Sequence, residues 1–220
     1  MPRNKSQSEI SILQDYRIAL ENTLSNELIS KTMAEFGYDD TLLSEGRNLL
    51  DETFHVYQVN KTEDQETREV SKRVNDLWDQ IEDMYSLDRK KARVVFMDDP
   101  EIMRNLEIVG PEPQVVDKWL EMVGNFYTLL LENEKLKTRV ARLKITPERC
   151  NEALVKIDEI FDSRRKYRDE IGESQNATQV KNEAFEKLDD WMKKFYATAK
   201  IAFEERPQLL ESLSKTVKSN

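Results

Sequence analysis

The chain has 220 residues, of which 35% are charged and 38% are apolar, and it contains only 5 glycines and 6 prolines. This balance favours helices over sheets and leaves enough apolar residues for a substantial core. The formal net charge of -9 argues against the basic surface that binding to nucleic acids or lipid headgroups requires. We therefore predict neither a nucleic-acid partner nor a membrane partner.

The cysteine count and the N-terminal sequence predict the cellular compartment of the protein. Cys150 is the single cysteine, so no disulfide can form within the chain and nothing indicates an oxidising compartment. Residues 1–8 are polar and resemble no signal peptide, and no run of 18 apolar residues could cross a membrane. The sequence predicts a cytoplasmic protein.

The first half of the chain predicts three long helices and a short one after a polar tail at residues 1–8. The first helix runs from about Glu9 to Glu35, and Asp39 is a favourable N-cap for the second. Asp99 resembles an N-cap and Pro100 a first helical residue, and together they predict the start of a short fourth helix. The third helix has its large side chains at spacings of three and four: Val74, Leu77, Trp78, Ile81, Tyr85, Ala92, Val95 and Phe96.

A junction of glycine and proline separates the two halves. Gly110, Pro111 and Pro113 disfavour a helix and bias the chain toward turn or extended structure. We place the junction at 109–113, between a first helical unit at 9–108 and a second at 114–214.

The second half predicts the same series of helices. Its first helix begins near Gln114, and Thr146 followed by Pro147 marks the start of the next. Pro207 begins the final short helix, and residues 215–220 form a polar tail.

The two halves also match in sequence. A shift of 107 aligns Gly37–Leu106 with Lys144–Leu213 without a gap, with 12 identities in 70 pairs. The clearest match joins the residues from Ala92 to Leu106 with those from Ala199 to Leu213. We predict an all-α protein of two tandem, pseudo-symmetric helical units packed as an elongated bundle, in preference to a short solenoid.

The titratable residues do not predict a catalytic centre. His55 is the only histidine, which excludes the two Glu-x-x-His motifs of a helical di-iron site. With 5 glycines in total there is no phosphate-binding loop. Cys150 aligns with Leu43 and is predicted to be a core residue instead of a nucleophile. We therefore predict no catalytic, metal or cofactor-binding residues and no cofactor.

Two weaker site hypotheses stay open. Acidic residues that recur on the second helix of each unit could hold a metal without histidine, although matched charges are also typical of a solvated helix face. These residues are Glu45, Asp51, Glu52, Glu152, Asp158 and Glu159. A second set of aromatic residues at helical spacing could form an apolar face between the two units, although core packing is their default role. These residues are Trp78, Trp119, Phe126, Trp191 and Phe195.

The C-terminal stretch carries a resemblance. The sequence from Leu188 to Glu211, LDDWMxxFxxxAxIAFxxRPQLLE, resembles the end of a group of uncharacterised bacterial all-helical proteins. The resemblance implies bacterial origin and a helical fold, and it implies no activity.

The function predicted from these observations is non-enzymatic. We expect a protein that binds a protein partner, or a second copy of itself, through its helical faces, as an interaction or scaffold component. The first alternative is a small-molecule or lipid-binding bundle with an apolar cavity between the two units. The second is an acid-only metal-binding hydrolase.

Overall fold

The computed structural model describes residues 7–214, and helices are the only regular secondary structure within them. The predicted tails at 1–8 and 215–220 lie almost wholly outside the described residues. No helix in the described part is both long and apolar enough to cross a membrane. The helices are, in chain order, α1 (Glu9–Ser25), α2 (Glu27–Glu35), α3 (Asp40–Val95), α4 (Pro100–Asn105), α5 (Val116–Glu132), α6 (Glu134–Ala141), α7 (Pro147–Ala202) and a 3₁₀ helix (Pro207–Leu213).

The predicted first helix of each half is divided in two by an asparagine. The side chain of Asn26 accepts hydrogen bonds from the backbone N–H groups of Leu28 and Ile29, at 3.0 and 3.2 Å, and so caps α2. Asn133 caps α6 in the same way. The prediction of one continuous helix was wrong here, because a short amide side chain competes for the backbone donors of the next turn.

The predicted second and third helices of each half are one helix. Both α3 and α7 are 56 residues long, and they begin at the predicted caps Asp39 and Thr146. No proline interrupts either helix after its first residue, and the residues from 57 to 73 in α3 are mostly good helix formers. Nothing in the local sequence therefore ends the helix between the two predicted segments.

The chain forms two compact units that differ from the two halves of the sequence. Within the described residues, unit I comprises 7–65 and 172–214, and unit II comprises 66–171. Unit I thus contains α1, α2, the first part of α3, the last part of α7 and the 3₁₀ helix. Unit II contains the rest of both long helices together with α4, α5 and α6. Each unit takes helices from both halves of the chain.

Unit I is held together by a core between its α3 and α7 segments and the shorter helices. The two long segments run antiparallel, since Asn60 hydrogen-bonds to Thr178 and Asp64 accepts from Ser174, at 2.9 and 2.8 Å. The fully buried side chains of this core include Leu13, Leu20, Ile29, Met33, Leu43, Phe185, Leu188, Phe195 and Ala199.

Unit II has a comparable core around the other segments of the long helices. Its central aromatic group joins Tyr85 of α3 to Trp119, Phe126 and Tyr127 of α5, with ring centroids 5.3 to 6.5 Å apart. The buried residues around this group include Ile81, Ala92, Phe96, Leu106, Leu120, Val123, Val140, Ile145 and Ala153.

The helix bounds of the second half follow those of the first at the offset of 107. Adding 107 to Glu9–Ser25 gives Val116–Glu132, and adding it to Asp40–Val95 gives Pro147–Ala202. The left-handed residues recur as well: Gly37 corresponds to Lys144, and Glu107 corresponds to Ser214.

Lys144 occupies a backbone conformation that suits glycine. Its φ is 62°, whereas its counterpart Gly37 has a φ of 89°. Because a left-handed backbone costs an L-residue roughly 1 to 2 kcal/mol, we expect Lys144→Gly to raise the free energy of unfolding by about 1 kcal/mol. Urea unfolding would measure this gain. Gly37→Ala is the matched opposite change and should destabilise, and a loss of stability in Lys144→Gly would contradict the expectation.

Candidate functional site

Unit II contains a charged network in its core, centred on Asp88. This carboxylate is fully buried, and its Oδ2 accepts hydrogen bonds from Tyr127 Oη at 3.1 Å and Arg149 Nε at 2.6 Å. Lys91 Nζ lies 3.1 Å from the other carboxylate oxygen, Oδ1. The charge of Asp88 is therefore balanced by two cations and a hydroxyl, as a buried charge requires.

A second set of polar contacts, which belongs to the same network region next to Asp88 in sequence, ties the junction to the core. Arg89 donates to Glu112 Oε1 and to the carbonyl oxygen of Gly110, both at 2.7 Å. Trp119 Nε1 donates to the other oxygen of Glu112, also at 2.7 Å. The side chain of Arg93 donates to the carbonyl oxygen of Ile108 at 2.6 Å. These contacts fix the start of the junction against α3 and α5.

Three residues of the network align with apolar or aromatic residues of unit I. At the offset of 107, Asp88 and Arg89 correspond to Phe195 and Tyr196. Phe195 stacks on Trp191, with ring centroids 5.6 Å apart and an interplanar angle of 14°. Tyr127 of the network likewise corresponds to Leu20. At these three positions unit I has a layer of apolar and aromatic side chains, where unit II has two charged residues and a tyrosine.

The chemistry available to this network is limited by its burial. Burial, and then the charge and hydrogen bond of Asp88, raise the pKa of Tyr127 far above its ordinary value. Burial alone would lower the pKa of Arg149, but the hydrogen bond and charge of Asp88 raise it. Burial also raises the pKa of Tyr85 to about 12. These groups hold their protons at neutral pH.

A groove lies on the surface of unit II beside this core. It has a volume of about 810 Å³ and lies between α4 on one side and the end of α5 with α6 on the other. Its apolar lining consists of Ile102, Leu106, Leu129 and Leu136. Its polar lining consists of Asp99, Asn105, Asn133, Glu134, Lys135, Thr138 and Arg139.

The wall of the groove is braced by Arg139. Its guanidinium carbon lies 4.5 Å from the centroid of the Phe96 ring. The same side chain donates to the Val95 carbonyl oxygen at 3.1 Å and contacts Asp99 Oδ2 at 3.4 Å. These contacts join α6 to the end of α3.

The aromatic residues predicted to form an apolar face fall into two groups, one in each unit. In unit II, Trp78 and Trp119 lie with ring centroids 4.8 Å apart, and Phe126 is part of the same core. In unit I, Trp191 and Phe195 pack with Tyr38 at centroid distances of 5.6 and 5.4 Å. The contacts of Trp78 with Trp119 and of Tyr38 with Trp191 each join the two halves of the sequence.

The predicted acidic positions are on the surface of both units. Glu45, Asp51 and Glu52 are exposed in unit I, and His55 is exposed near them. The other three lie in unit II, where Glu159 pairs with Arg73 and Glu152 pairs with Lys156. Among the described residues, none of the six carboxylates belongs to a group of three potential metal ligands.

Cys150 is a core residue of unit II. Its side chain is buried, and burial followed by the charge of Asp88 raises its pKa from 9.0 to about 11. At pH 8 such a thiol carries about a hundredth of the thiolate of an ordinary cysteine. We expect a thiol-reactive dye to label the native protein at least about a hundredfold more slowly than the urea-unfolded protein. Equal labelling rates would show that the thiol is accessible.

Comparison with known proteins does not extend these observations. No family model, curated protein or solved structure matches the chain. The resemblance of the Leu188–Glu211 stretch to bacterial helical proteins therefore stays a prediction.

Proposed function

We propose that this protein works by binding another protein and catalyses no reaction. The observation that carries the proposal is the groove of unit II, which presents an apolar floor from three helices at the surface. Grooves between helices are a recurrent site for docking an amphipathic partner helix. The charged groups that would be candidates for catalysis lie around the buried Asp88 and form hydrogen bonds with it.

The groove also supports the alternative of a small-molecule or lipid ligand. Its volume of about 810 Å³ falls in the usual range for ligand pockets. The predicted cavity lay between the two halves of the sequence, and this groove is lined by α4 of the first half and by α5 and α6 of the second. The acid-only hydrolase has no comparable support, because its six carboxylates do not group in the described residues.

A groove variant tests the proposal. Leu129 lines the groove and is 37% exposed, so Leu129→Asp should place a charge on the floor without unfolding unit II. The tagged protein and this variant would be purified from cells of the natural host and compared by quantitative mass spectrometry. Val155→Asp, at an exposed α7 position outside the groove lining, is the matched control.

The outcomes separate the candidates. A protein retained by wild type and by Val155→Asp, but lost by Leu129→Asp, supports the proposal. A bound ligand of a few hundred daltons, detected by native mass spectrometry in wild type and in Val155→Asp but lost in Leu129→Asp, supports the small-molecule alternative. If neither depends on Leu129, the groove is not the binding site and the proposal fails.

We also propose that the chain is a tandem duplication of one helical unit, arranged with pseudo-twofold symmetry. The recurrence of helix bounds and left-handed residues at the offset of 107 supports this, as does the exchange of helices by which each compact unit draws on both halves. A homodimer whose two chains have been joined would have this arrangement.

Cleavage of the junction tests the duplication. A protease site inserted between Val109 and Gly110 would let the full-length protein fold before it is cut. Because every compact unit contains both halves, the cut protein should remain one complex near 25.9 kDa in native mass spectrometry. Separation into two folded halves would show that each half packs by itself, and would contradict the proposal.

A further inference from the structure

We propose that the two halves of the chain select one another and disfavour pairing with a second copy of the same half. The first half ends at Val109 and the second begins at Gly110. We call a pair of different halves a mixed pair and a pair of identical halves a like pair. The proposal rests on the proposed duplication, which makes like pairs a competitor, and it does not involve the groove.

The duplication gives both halves the same helical framework. Their helix bounds agree at the offset of 107, and each core is built from long-helix segments of both halves. The end of α3 from a second copy could therefore take the place of the end of α7. When the two halves were identical in sequence, mixed and like pairs were equally stable. Any selection between them must come from core positions at which the halves now differ.

In unit II the selecting contact is a buried charge. Asp88 of the first half is fully buried, and its donors Tyr127 and Arg149 belong to the second half. In a like pair of first halves, Asp88 would face Leu20 and Leu42, which align with these donors and cannot donate a hydrogen bond. The lysine one turn along α3 would be retained as its counter-charge. A buried carboxylate that loses two of its three partners strongly disfavours this pair.

In unit I the selecting contact is steric. The ring of Trp191, from the second half, lies so close to Gly46 of the first half that a Cβ there would be 2.6 Å from Cζ2. Gly46 aligns with Ala153, so a like pair of second halves would set Trp191 against a methyl group that its site does not accommodate. The same pair would set Phe195 against Arg149 and deprive that guanidinium of its carboxylate.

The two contacts act against different like pairs. The buried charge disfavours the pair of first halves, and the tryptophan ring disfavours the pair of second halves. Two mixed pairs can rearrange only by forming one like pair of each kind. Both penalties therefore oppose the same rearrangement, and their effects on its equilibrium constant multiply.

Refolding of the cut protein tests the selection. Full-length protein with the protease site between Val109 and Gly110 would be folded, cut, unfolded in urea and refolded by dilution. Native mass spectrometry then compares mixed pairs with like pairs, which differ in mass. Random pairing would give equal amounts of mixed and like pairs. We expect mixed pairs to exceed like pairs by about tenfold or more.

A levelled variant identifies the residues that select. It gives both halves the same side chain at each selecting position except that of Gly46, through Asp88→Phe, Tyr127→Leu, Arg149→Leu and Trp191→Met. The ratio of mixed to like pairs should fall to within about threefold of equality. Asp83→Ala, at an exposed α3 position, is the control and should keep the ratio of the wild type.

Charge reversal in the uncut chain tests the same contact without separating the halves. Asp88→Arg and Arg149→Asp each set like charges against one another, and together they restore an opposite pair. We expect the double variant to retain the circular dichroism of the wild type and to unfold at a higher urea concentration than either single variant.

Equal amounts of mixed and like pairs after refolding of the wild type would overturn the proposal, and so would an unchanged ratio in the levelled variant. If the cut protein does not refold, the charge reversal decides, and a double variant no more stable than both single variants rejects the proposal. Failure of the duplication looks different. A cut complex that separates into two folded halves before urea is added rejects the duplication, whereas one that stays whole and refolds into like pairs rejects only the selection.

Discussion

Replacing Asp88 with alanine should lower the free energy of unfolding by about 2 to 4 kcal/mol, because it leaves Tyr127, Arg149 and Lys91 without their common acceptor. Tyr127 is fully buried and loses its hydrogen-bond partner inside the core. The side chains of Arg149 and Lys91 are 27% and 22% exposed, so they can recover part of the cost by turning toward water. Urea unfolding followed by circular dichroism measures the loss.

The aligned residues of unit I suggest a variant that should recover the stability lost in Asp88→Ala. Asp88→Phe with Tyr127→Leu and Arg149→Leu installs the residues found at the offset of 107, namely Phe195, Leu20 and Leu42. Since a well-packed apolar replacement of a buried ion pair is often neutral or stabilising, we expect the triple variant to recover most of the loss. Asp83→Ala, at an exposed α3 position, is the control and should change stability by less than about 0.5 kcal/mol. A triple variant no more stable than Asp88→Ala would show that the two layers are not interchangeable.

The second large effect is expected at Gly46, in the interior of α3. A Cβ at this position would lie 2.6 Å from Cζ2 of Trp191, well inside contact distance. Glycine to alanine in a helix usually stabilises by roughly 0.5 to 1 kcal/mol, but overpacking here should instead cost about 1 to 3 kcal/mol. The sign of the change in thermal stability therefore tests the packing.

A double-mutant cycle completes the test at Gly46. In unit II the corresponding residues are Ala153 and Met84, so Trp191→Met should make room for Gly46→Ala. We expect the double variant to be at least about 1 kcal/mol more stable than the sum of the single changes predicts. Gly172→Ala is the matched control, since its Cβ would meet no atom within 4 Å and should not destabilise. Additive single changes would contradict the clash.

The sequence was informative where local chemistry decides the structure. Asp39, Asp99 and Thr146 begin helices as predicted, because a cap depends on neighbouring residues alone. The apolar spacing around Trp78 and Ile81 located the core face of α3. The breaks at Asn26 and Asn133 were missed because asparagine is tolerated within helices, and only the local backbone decides whether its side chain caps the next turn.

The features that depend on tertiary contacts were not predicted. The fusion of two predicted helices into α3 has no sequence motif of its own, because it results from the absence of a residue that would end the first helix. The network around Asp88 was also missed, although the sequence contained a signal for it. Asp88 and Arg89 align with Phe195 and Tyr196, and a charged residue that aligns with an aromatic core residue indicates a buried polar group. The groove could not be predicted, because its walls come from helices distant in sequence.

The interleaving of the two units has a consequence for synthesis on the ribosome. Unit II is one continuous stretch, 66–171, and can close as soon as its last residue has emerged. Residues 7–65 must wait for the segment that begins at Gly172, a delay on the order of 5 to 20 s at ordinary elongation rates. During that interval the apolar faces of α1 and α2 lack the α7 side chains that complete their core. The nascent chain should therefore recruit chaperones through its earliest residues, and unit II should be the first part to resist proteases.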